Sequence, residues 1–474
     1  MIVMKFGGSS LESAGAIQRA AAIVKGQLQR KPVVVVSAMG ETTDRLLEAA
    51  QCAARGNSYS AGQHLEALRR MHFQETRALL GPRAEPFLRD NIAPLFREVH
   101  CLLIELSEGR PFTPQIQDQV LSYGERISSL IVAEAFRQCG IHAAQVDARK
   151  VIITADEFTH ATPLYWETYA RLRRSVALVA RDRVVVMGGF IGSTETGITT
   201  TLGRGGSDLT ATLVGAGISA EEIQIWTDVD GMLTCDPRLV GGGLCLREIS
   251  YEEAQEMARL GAKVLCADAI APAMRQQIPI VIRNSRRPQL EGTRVSGKAE
   301  PAAGIAKALA AKTGLAVVHL RVSNQGILSS ITDGLADLFA REQVAIEIIQ
   351  VRDHGISFAV RNWPGLSAVL RQVDASVQIS VEEERAGIWL VGAGIAQRPE
   401  IMVRATAALS GMDLRLTGQG SSPLSLGFAV PEALLQESLA ALNAEFFAAP
   451  DDAARTATET ARHAPAYRVL PVPA

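Results

Sequence analysis

The chain has 474 residues, 47% of them hydrophobic and 21% charged, with a formal net charge of −2. That length suits two or three domains with sizeable cores, in an ordinary globular composition. The near-zero charge leaves no electrostatic footprint for nucleic acid or an anionic membrane surface, and no apolar run approaches the ~20 residues of a membrane span. Six cysteines (Cys52, Cys101, Cys139, Cys235, Cys245 and Cys266) form no CxxC pair and have no histidine at metal-ligand spacing. They are expected as reduced, mostly buried thiols of a cytoplasmic protein. Lys5 and Gly7-Gly8 interrupt the apolar N-terminus, so no secretory leader is expected. The eight histidines form neither an HExxH nor a His-Asp-Ser pattern, which removes support for zinc hydrolase or triad chemistry.

Ile2–Phe6 reads as a first strand. It runs into Lys5-Phe6-Gly7-Gly8-Ser9, a strand-to-helix turn where backbone N–H groups and an ammonium can face one anion. The spacing is not that of a Walker loop, and a solvated edge lysine is the competing reading. Ser9 and Glu12 have capping-box spacing for a helix reaching about Leu28. Val33–Val36 is a wholly apolar strand of the parallel type, ending in Ser37-Ala38-Met39-Gly40. Thr43 with Asp44 then caps a helix or meets a ligand.

From Asp44 to about Gly109 apolar residues recur at helical spacing, a helical excursion on the sheet. In Ser122-Tyr123-Gly124-Glu125-Arg126, Glu125 either receives a substrate ammonium or pairs with Arg126 or Arg137 on a surface. Strands resume at Ala143–Val146, Val184–Met187 and Ile223–Trp226, and their alternation with helices predicts an α/β fold with a mostly parallel sheet.

Gly203-Arg204-Gly205-Gly206-Ser207-Asp208 opens a further helix. Its N–H groups and helix dipole suit an anion, Ser207 or Asp208 is placed to cap, and Arg204 offers a fork for a carboxylate. Thr227-Asp228-Val229-Asp230-Gly231, with Asp236-Pro237-Arg238 beyond it, puts carboxylates at a strand end, where nucleotides bind or a plain Asp-Gly turn forms. Gly261-Ala262-Lys263 offers a second cation for phosphates.

Arg, Pro, Gly and Ser dominate from Ser285 to about Gly304, as in a linker. Two similar strand–helix–strand units follow, at 315–360 and 388–430, with Phe-Ala-Val repeated 70 residues apart. Val391-Gly392-Ala393-Gly394 imitates a dinucleotide fingerprint but has Gln397 at the third glycine position. The stretch after Pro450 is rich in Ala, Thr and Pro and reads as a poorly ordered tail.

In order, Lys5–Ser9, Val33–Ala38, Ser122–Glu125, Phe190–Gly192 with Gly203–Asp208, Thr227–Gly231 with Asp236–Arg238, and Gly261–Leu265 resemble the motifs of the aspartate kinases, in the amino-acid-kinase superfamily. The resemblance covers about residues 1–447. It implies a three-layer α/β/α catalytic domain over 1–290 (with the helical excursion at about 44–109), a linker at 291–312, and two ferredoxin-like ACT modules at 313–384 and 385–449. A tail at 450–474 completes that division. The implied reaction moves the γ-phosphoryl of ATP, with Mg²⁺, to the β-carboxylate of L-aspartate, opening the route to lysine, threonine and methionine. A carboxylate with a reference pKa near ~4 is already ionised at neutral pH, so no general base is required.

By the same resemblance, Lys5, Gly7 and Gly8 contact the transferring phosphoryl, and Arg204 clamps a substrate carboxylate. Glu125 and Asp208 hold the ammonium, and Ser37, Thr43 and Ser207 complete the pocket. Thr227, Asp228, Arg238 and Lys263 serve the nucleotide, and no protein metal-ligand set is expected. The ACT modules imply an amino-acid effector and a homodimer or larger homo-oligomer.

Departures from the pattern stand at Leu233 (usually Tyr), at Cys266-Ala267 (usually His-Pro), and in the two effector-loop segments Gln350–Gly355 and Thr417–Ser422. They leave room for a catalytically weak amino-acid sensor, and a kinase for another amino acid such as glutamate is the further alternative.

Overall fold

The computed structural model describes residues 1–241, 243–262, 264–297, 306–322, 328–342, 344–352, 355–373, 377–419 and 422–447. Lys263, residues 298–305 of the expected linker, Asp353, His354, Gly420, Ser421 and the expected tail at 450–474 lie outside the described residues. The chain forms two compact units. The first comprises Met1–Met232, Cys245–Arg259 and Lys263–Ala299, and the second Leu233–Leu244, Leu260–Ala262 and Glu300–Ala474.

In the first unit the strands are β1 (Ile2–Phe6), β2 (Pro32–Val36), β3 (Ala143–Val146), β4 (Val184–Gly188), β5 (Ile191–Ser193), β6 (Thr199–Thr201), β7 (Glu222–Thr227), β8 (Glu248–Ile249), β9 (Ile280–Asn284) and β10 (Thr293–Val295). Eight of them form one sheet in the order β3-β4-β2-β1-β7-β9-β10-β8, and β5 with β6 forms a separate hairpin. All pairings described in the large sheet are parallel apart from β9 with β10. Such strands are buried on both faces, which is why β2 is a proline followed by four valines.

β1 is central, flanked by β2 and β7. Its alternation sends Ile2, Met4 and Phe6 into a core shared with the helices Ala14–Lys25 and Tyr123–Gln138. Val3 and Lys5 face the other side, towards the helix Gly206–Ile218, where Val3 lies beside Gly215. That helix is buried along all 13 residues, the environment expected of one with no polar stripe.

The sheet therefore has helices on both faces, and residues 42–107 supply the helical excursion. One expected helix start is corrected. Gly8–Ser10 forms a 3-10 turn, and the helix begins at Ala14 with Ser13, not Ser9, as its cap, accepting from the Ala16 N–H. Gly8 packs against the Ala38 and Gly40 carbonyls, so residues 8–10 are committed to the turn and cannot also open the helix.

The second unit contains β11 (Ala308–Arg321), β12 (Ile346–Arg352), β13 (Gly355–Arg361), β14 (Gln378–Val391), β15 (Leu416–Gln419) and β16 (Ser425–Pro431), in one sheet ordered β12-β13-β11-β14-β16-β15. Each repeat is strand, helix, two strands, helix. The two long strands β11 and β14 pair antiparallel from Ala308↔Val391 to Arg321↔Gln378, so the repeats share a sheet instead of closing two separate ones. Leu233–Leu244 belongs to this unit: Leu309 donates to the Thr234 carbonyl at 2.6 Å, and Cys235 joins the core of Ile388, Phe428 and Leu442. Among the described residues no helix is long and apolar enough to cross a membrane.

Candidate active site

Parallel sheets present ligands at the C-terminal ends of their strands. There, Lys5 on β1 is 8% exposed, and its ammonium pairs with Asp208 Oδ1 at 2.6 Å. The reading of Lys5 as a solvated edge residue is thereby excluded, since β1 is the fourth strand of eight. After Lys5 the chain turns through Gly7, whose N–H donates to the Trp226 carbonyl. The N–H groups of Gly8 and Ser9 then open the 3-10 turn with no acceptor among the described residues. An ammonium and two open N–H groups thus meet at one strand end, an arrangement that fits a phosphate.

Asp208 is held by the helix Gly206–Ile218, whose cap is Gly205 in the left-handed region (φ 74°) without a side-chain bond. The expectation that Ser207 or Asp208 caps this helix is corrected. Only glycine takes that conformation without strain, and its use frees both side chains for the site. Asp208 stands in the first helical turn, where the dipole favours a negative charge by roughly 0.3–1 kcal/mol. Arg204 is exposed and makes no ion pair among the described residues. Behind the loop stands Cys266, and a Cβ on Gly205 would overlap its Cβ.

Glu125 lies in the first turn of Tyr123–Gln138 and is 3% exposed. Its expected alternative partners are taken elsewhere, Arg126 by Glu98 and Arg137 by Glu134. Glu125 Oε1 accepts from the Ala38 N–H at 3.1 Å, while Oε2 is buried without a partner. Burial pushes its carboxyl up to about 8, against the smaller opposing pulls of the Ala38 N–H and the Lys5 charge.

Ser207 and Glu125 lie on either side of one glycine pair. A Cβ on Gly188 would stand 2.9 Å from Glu125 Cβ, and one on Gly189 2.8 Å from Ser207 Cα. Ser37 is half-buried at the end of β2, bonded through its backbone to Phe6 and Ser128. Thr43, also half-buried, does not cap its helix, which starts at Thr42 after Glu41, and its hydroxyl faces Gly124. Lys5, Gly7, Gly8, Ser37, Thr43, Glu125, Ser207 and Asp208 therefore converge on the ends of β1, β2 and β4.

The nucleotide-side residues are spread more widely. Thr227 ends β7 and bonds to the exposed Asp228, while Asp230 is occupied by Asn284 and Arg287. Arg238 belongs to the second unit, where Asp236 holds its guanidinium. Among the described residues no cluster of His, Cys, Asp or Glu could hold a metal on its own.

Sequence reasoning passed over two buried groups near this site. His72 is fully buried, donates from Nδ1 to the Leu68 carbonyl, and has Thr42 Oγ1 3.5 Å from Nε2. Burial lowers its pKa to about 4, so it stays neutral. Asp118 is the other, a fully buried carboxylate bonded across more than 80 residues to Thr201. Neither lies in a local motif, and a lone His or Asp on a helix gives no signal of its distant partner.

Residues 1–284 match the model of the amino acid kinase family, and residues 388–446 match that of an ACT domain. The chain is 30% identical over 462 residues to the lysine-sensitive aspartokinase 3 of Escherichia coli K12, covering 94% of this chain and 99% of that one. It is likewise 30% identical to the chloroplastic aspartokinase 1 of Arabidopsis thaliana, over 95% of this chain and 80% of the relative. Among solved structures, E. coli aspartokinase III in complex with aspartate and ADP (R-state) superposes with a TM-score of 0.81 at 29% identity, covering 94% of this chain and all of that one. The same enzyme in complex with lysine and aspartate (T-state) gives 0.77.

Proposed function

This chain belongs to the aspartokinases of the amino acid kinase family and is an aspartate kinase with a C-terminal ACT region, and from that premise we propose how its own residues divide the work. Lys5, Gly7 and Gly8 handle the transferring phosphoryl group. Glu125, Arg204 and Asp208, with Ser37, Thr43 and Ser207, select and orient the acceptor.

The observation that carries this division is the orphaned Oε2 of buried Glu125. A buried carboxylate oxygen without a donor costs free energy, and a substrate ammonium repairs that deficit. Arg204, exposed and unpaired on a loop fixed by Gly205, offers its planar fork to a carboxylate.

Bound ATP supplies a γ-phosphoryl group with charge for Mg²⁺ to neutralise. Gly8, whose Cβ would stand 3.0 Å from the Gly40 carbonyl, leaves the open N–H groups of the turn accessible to phosphate oxygens. With no carboxylate cluster among the described residues, the site fits a Mg²⁺ held chiefly by phosphates and at most one or two carboxylates. Thr227 and Asp228 contact the nucleotide at the end of β7, and Lys263 adds charge to it.

In the transfer, the aspartate β-carboxylate forms the new P–O bond as the β–γ phosphoanhydride breaks, giving an acyl phosphate and ADP. Lys5 stands ready to stabilise the transferring oxygens once aspartate and ATP draw it from Asp208. The ACT region answers an amino-acid effector, a reading supported by the lysine-bound relative, and it pairs subunits. The six cysteines are free, which fits a reducing setting, but only Cys235 is buried, against the expectation of mostly buried thiols.

Trapping the acyl phosphate with hydroxylamine, with ATP/Mg²⁺ and either aspartate or glutamate, tests the acceptor assignment. Hydroxamate is expected from aspartate alone, and an equal yield from glutamate contradicts it. Adding lysine, threonine or methionine to the same assay identifies the effector.

A further inference from the structure

Asp118, in the helix Pro114–Leu121, has a fully buried side chain that makes no ion pair among the described residues. It nevertheless has three donors. Oδ2 accepts from the Thr159 N–H at 2.9 Å and the Thr201 N–H at 2.8 Å, and Oδ1 accepts from the Thr201 hydroxyl at 2.7 Å. Bonds to an ionised acceptor are about twice as strong as neutral ones, and they fix geometry as well as energy.

The two segments gripped in this way flank the start of the acceptor loop. Thr201 ends β6, two residues before Gly203 and three before Arg204. Thr159 adopts φ 71°, a left-handed conformation that a β-branched residue holds only where its surroundings insist. Gly203 lies in the bend they make: a Cβ there would come 2.7 Å from His160 Cδ2 and 3.0 Å from the Thr159 carbonyl. Ala161 then donates back to the Thr201 carbonyl at 2.9 Å, closing the bend. The helix carrying Asp118 leads directly through Ser122 into the helix that carries Glu125.

We propose that Asp118 is a positioning residue for acceptor recognition: one carboxylate joins the helix pair bearing Glu125 to the loop bearing Arg204, and so fixes the spacing between the groups that take the ammonium and the carboxylate of aspartate. Arg204 has no ion pair of its own among the described residues, so its backbone is what aims it. The inference rests on the assignment of Arg204 and Glu125 to aspartate. Asp118 touches neither substrate nor nucleotide; it acts through the loop.

Steady-state kinetics of the full chain, varying aspartate and ATP separately, test this in Asp118→Asn, Thr201→Val and Arg204→Ala. Asp118→Asn keeps the size but removes the charge: its amide oxygen can take the two N–H groups only with its NH2 turned to the Thr201 hydroxyl, which must then accept. The aspartate KM is expected to rise about two- to fivefold, with the ATP KM within twofold of the parent and a circular dichroism spectrum unchanged. Thr201→Val removes a single donor, leaves the strand intact, and is expected to raise the aspartate KM two- to fivefold in the same selective way. It decides the matter alone if Asp118→Asn does not fold. An unchanged aspartate KM in the folded variants, or a parallel rise in the ATP KM, overturns the inference. Arg204→Ala separates the two levels. If it too leaves the aspartate KM unchanged, the assignment of Arg204 fails. If it raises that KM while Thr201→Val and Asp118→Asn do not, only the role of Asp118 fails.

Discussion

The two compact units solve opposite problems with similar materials. The first unit buries charge: Lys5, Asp208, Glu125 and Asp118 are each at most 8% exposed, beside a sheet whose central strands are largely apolar. Buried charge persists only when paired or hydrogen-bonded, and Glu125 leaves one oxygen without any partner. The second unit keeps its charges nearer the surface and buries shape instead. Trp389 on β14 and Phe428 on β16 are both fully buried, and the strand pairing of two repeats supplies the architecture. The comparison separates a region whose residues are fixed by chemistry from one whose residues are fixed by packing. Substitutions at the first unit's site should therefore move kinetic constants as well as stability, and those in the second unit stability with little change in turnover.

Lys5→Met should produce the largest effect. Turnover in the hydroxamate assay is expected to fall about 10³-fold, in line with losing a preorganised cation at the transferring group. The stability cost should stay within the roughly 3–5 kcal/mol of a broken buried pair, read by urea denaturation. Near-parental turnover breaks the division of labour. Arg204→Lys keeps the charge but loses the fork, so the aspartate KM should rise about 10- to 100-fold, the value of one or two charged hydrogen bonds. The ATP KM should hardly move.

The pH dependence of Glu125 comes next. In the folded, ligand-free protein its carboxyl titrates near 8, while in the unfolded chain it titrates near 4.5. Between those values the folded state binds the extra proton, so this group's contribution to stability falls as pH rises, by at most about 5 kcal/mol. Glu125→Gln should flatten that decline in melting temperature between pH 5 and 8.

A second-unit change sharpens the comparison from the other side. Gly387→Ala places a methyl group against the Trp389 ring. It should cost about 1–3 kcal/mol by overpacking, lowering the melting temperature while leaving effector-free turnover within about twofold.

Legibility follows the same boundary. Lys5-Phe6-Gly7-Gly8 and the loop from Gly203 to Asp208 were readable as turns at a strand end and a helix start, because glycines cluster where the chain must bend sharply. The parallel sheet was readable from its apolar strands. Helix starts were misread where two capping patterns competed, at Ser9 against Ser13 and at Ser207 or Asp208 against Gly205, because a left-handed glycine cap leaves no side-chain signature. Whether Glu125 faced solvent or the sheet was undecidable from a helix with arginines on either side. The surroundings of Asp118 and His72 depend on contacts with other segments, Thr201 for the one and Thr42 for the other, and the shared sheet of the second unit on the pairing of β11 with β14. No local pattern encodes these.

On the proposed division of work, the orphaned oxygen of Glu125 takes the ammonium of aspartate. Titration calorimetry of aspartate into the full chain at pH 7, repeated in buffers of different ionisation enthalpy, counts the protons released on binding. With its carboxyl near 8, Glu125 is mostly protonated before binding and ionised against the ammonium afterwards. The account therefore predicts release of close to one proton, about 0.9 at pH 7 by linkage, and none from Glu125→Gln. Binding by the parent with no proton released, or the same release from the variant, contradicts it.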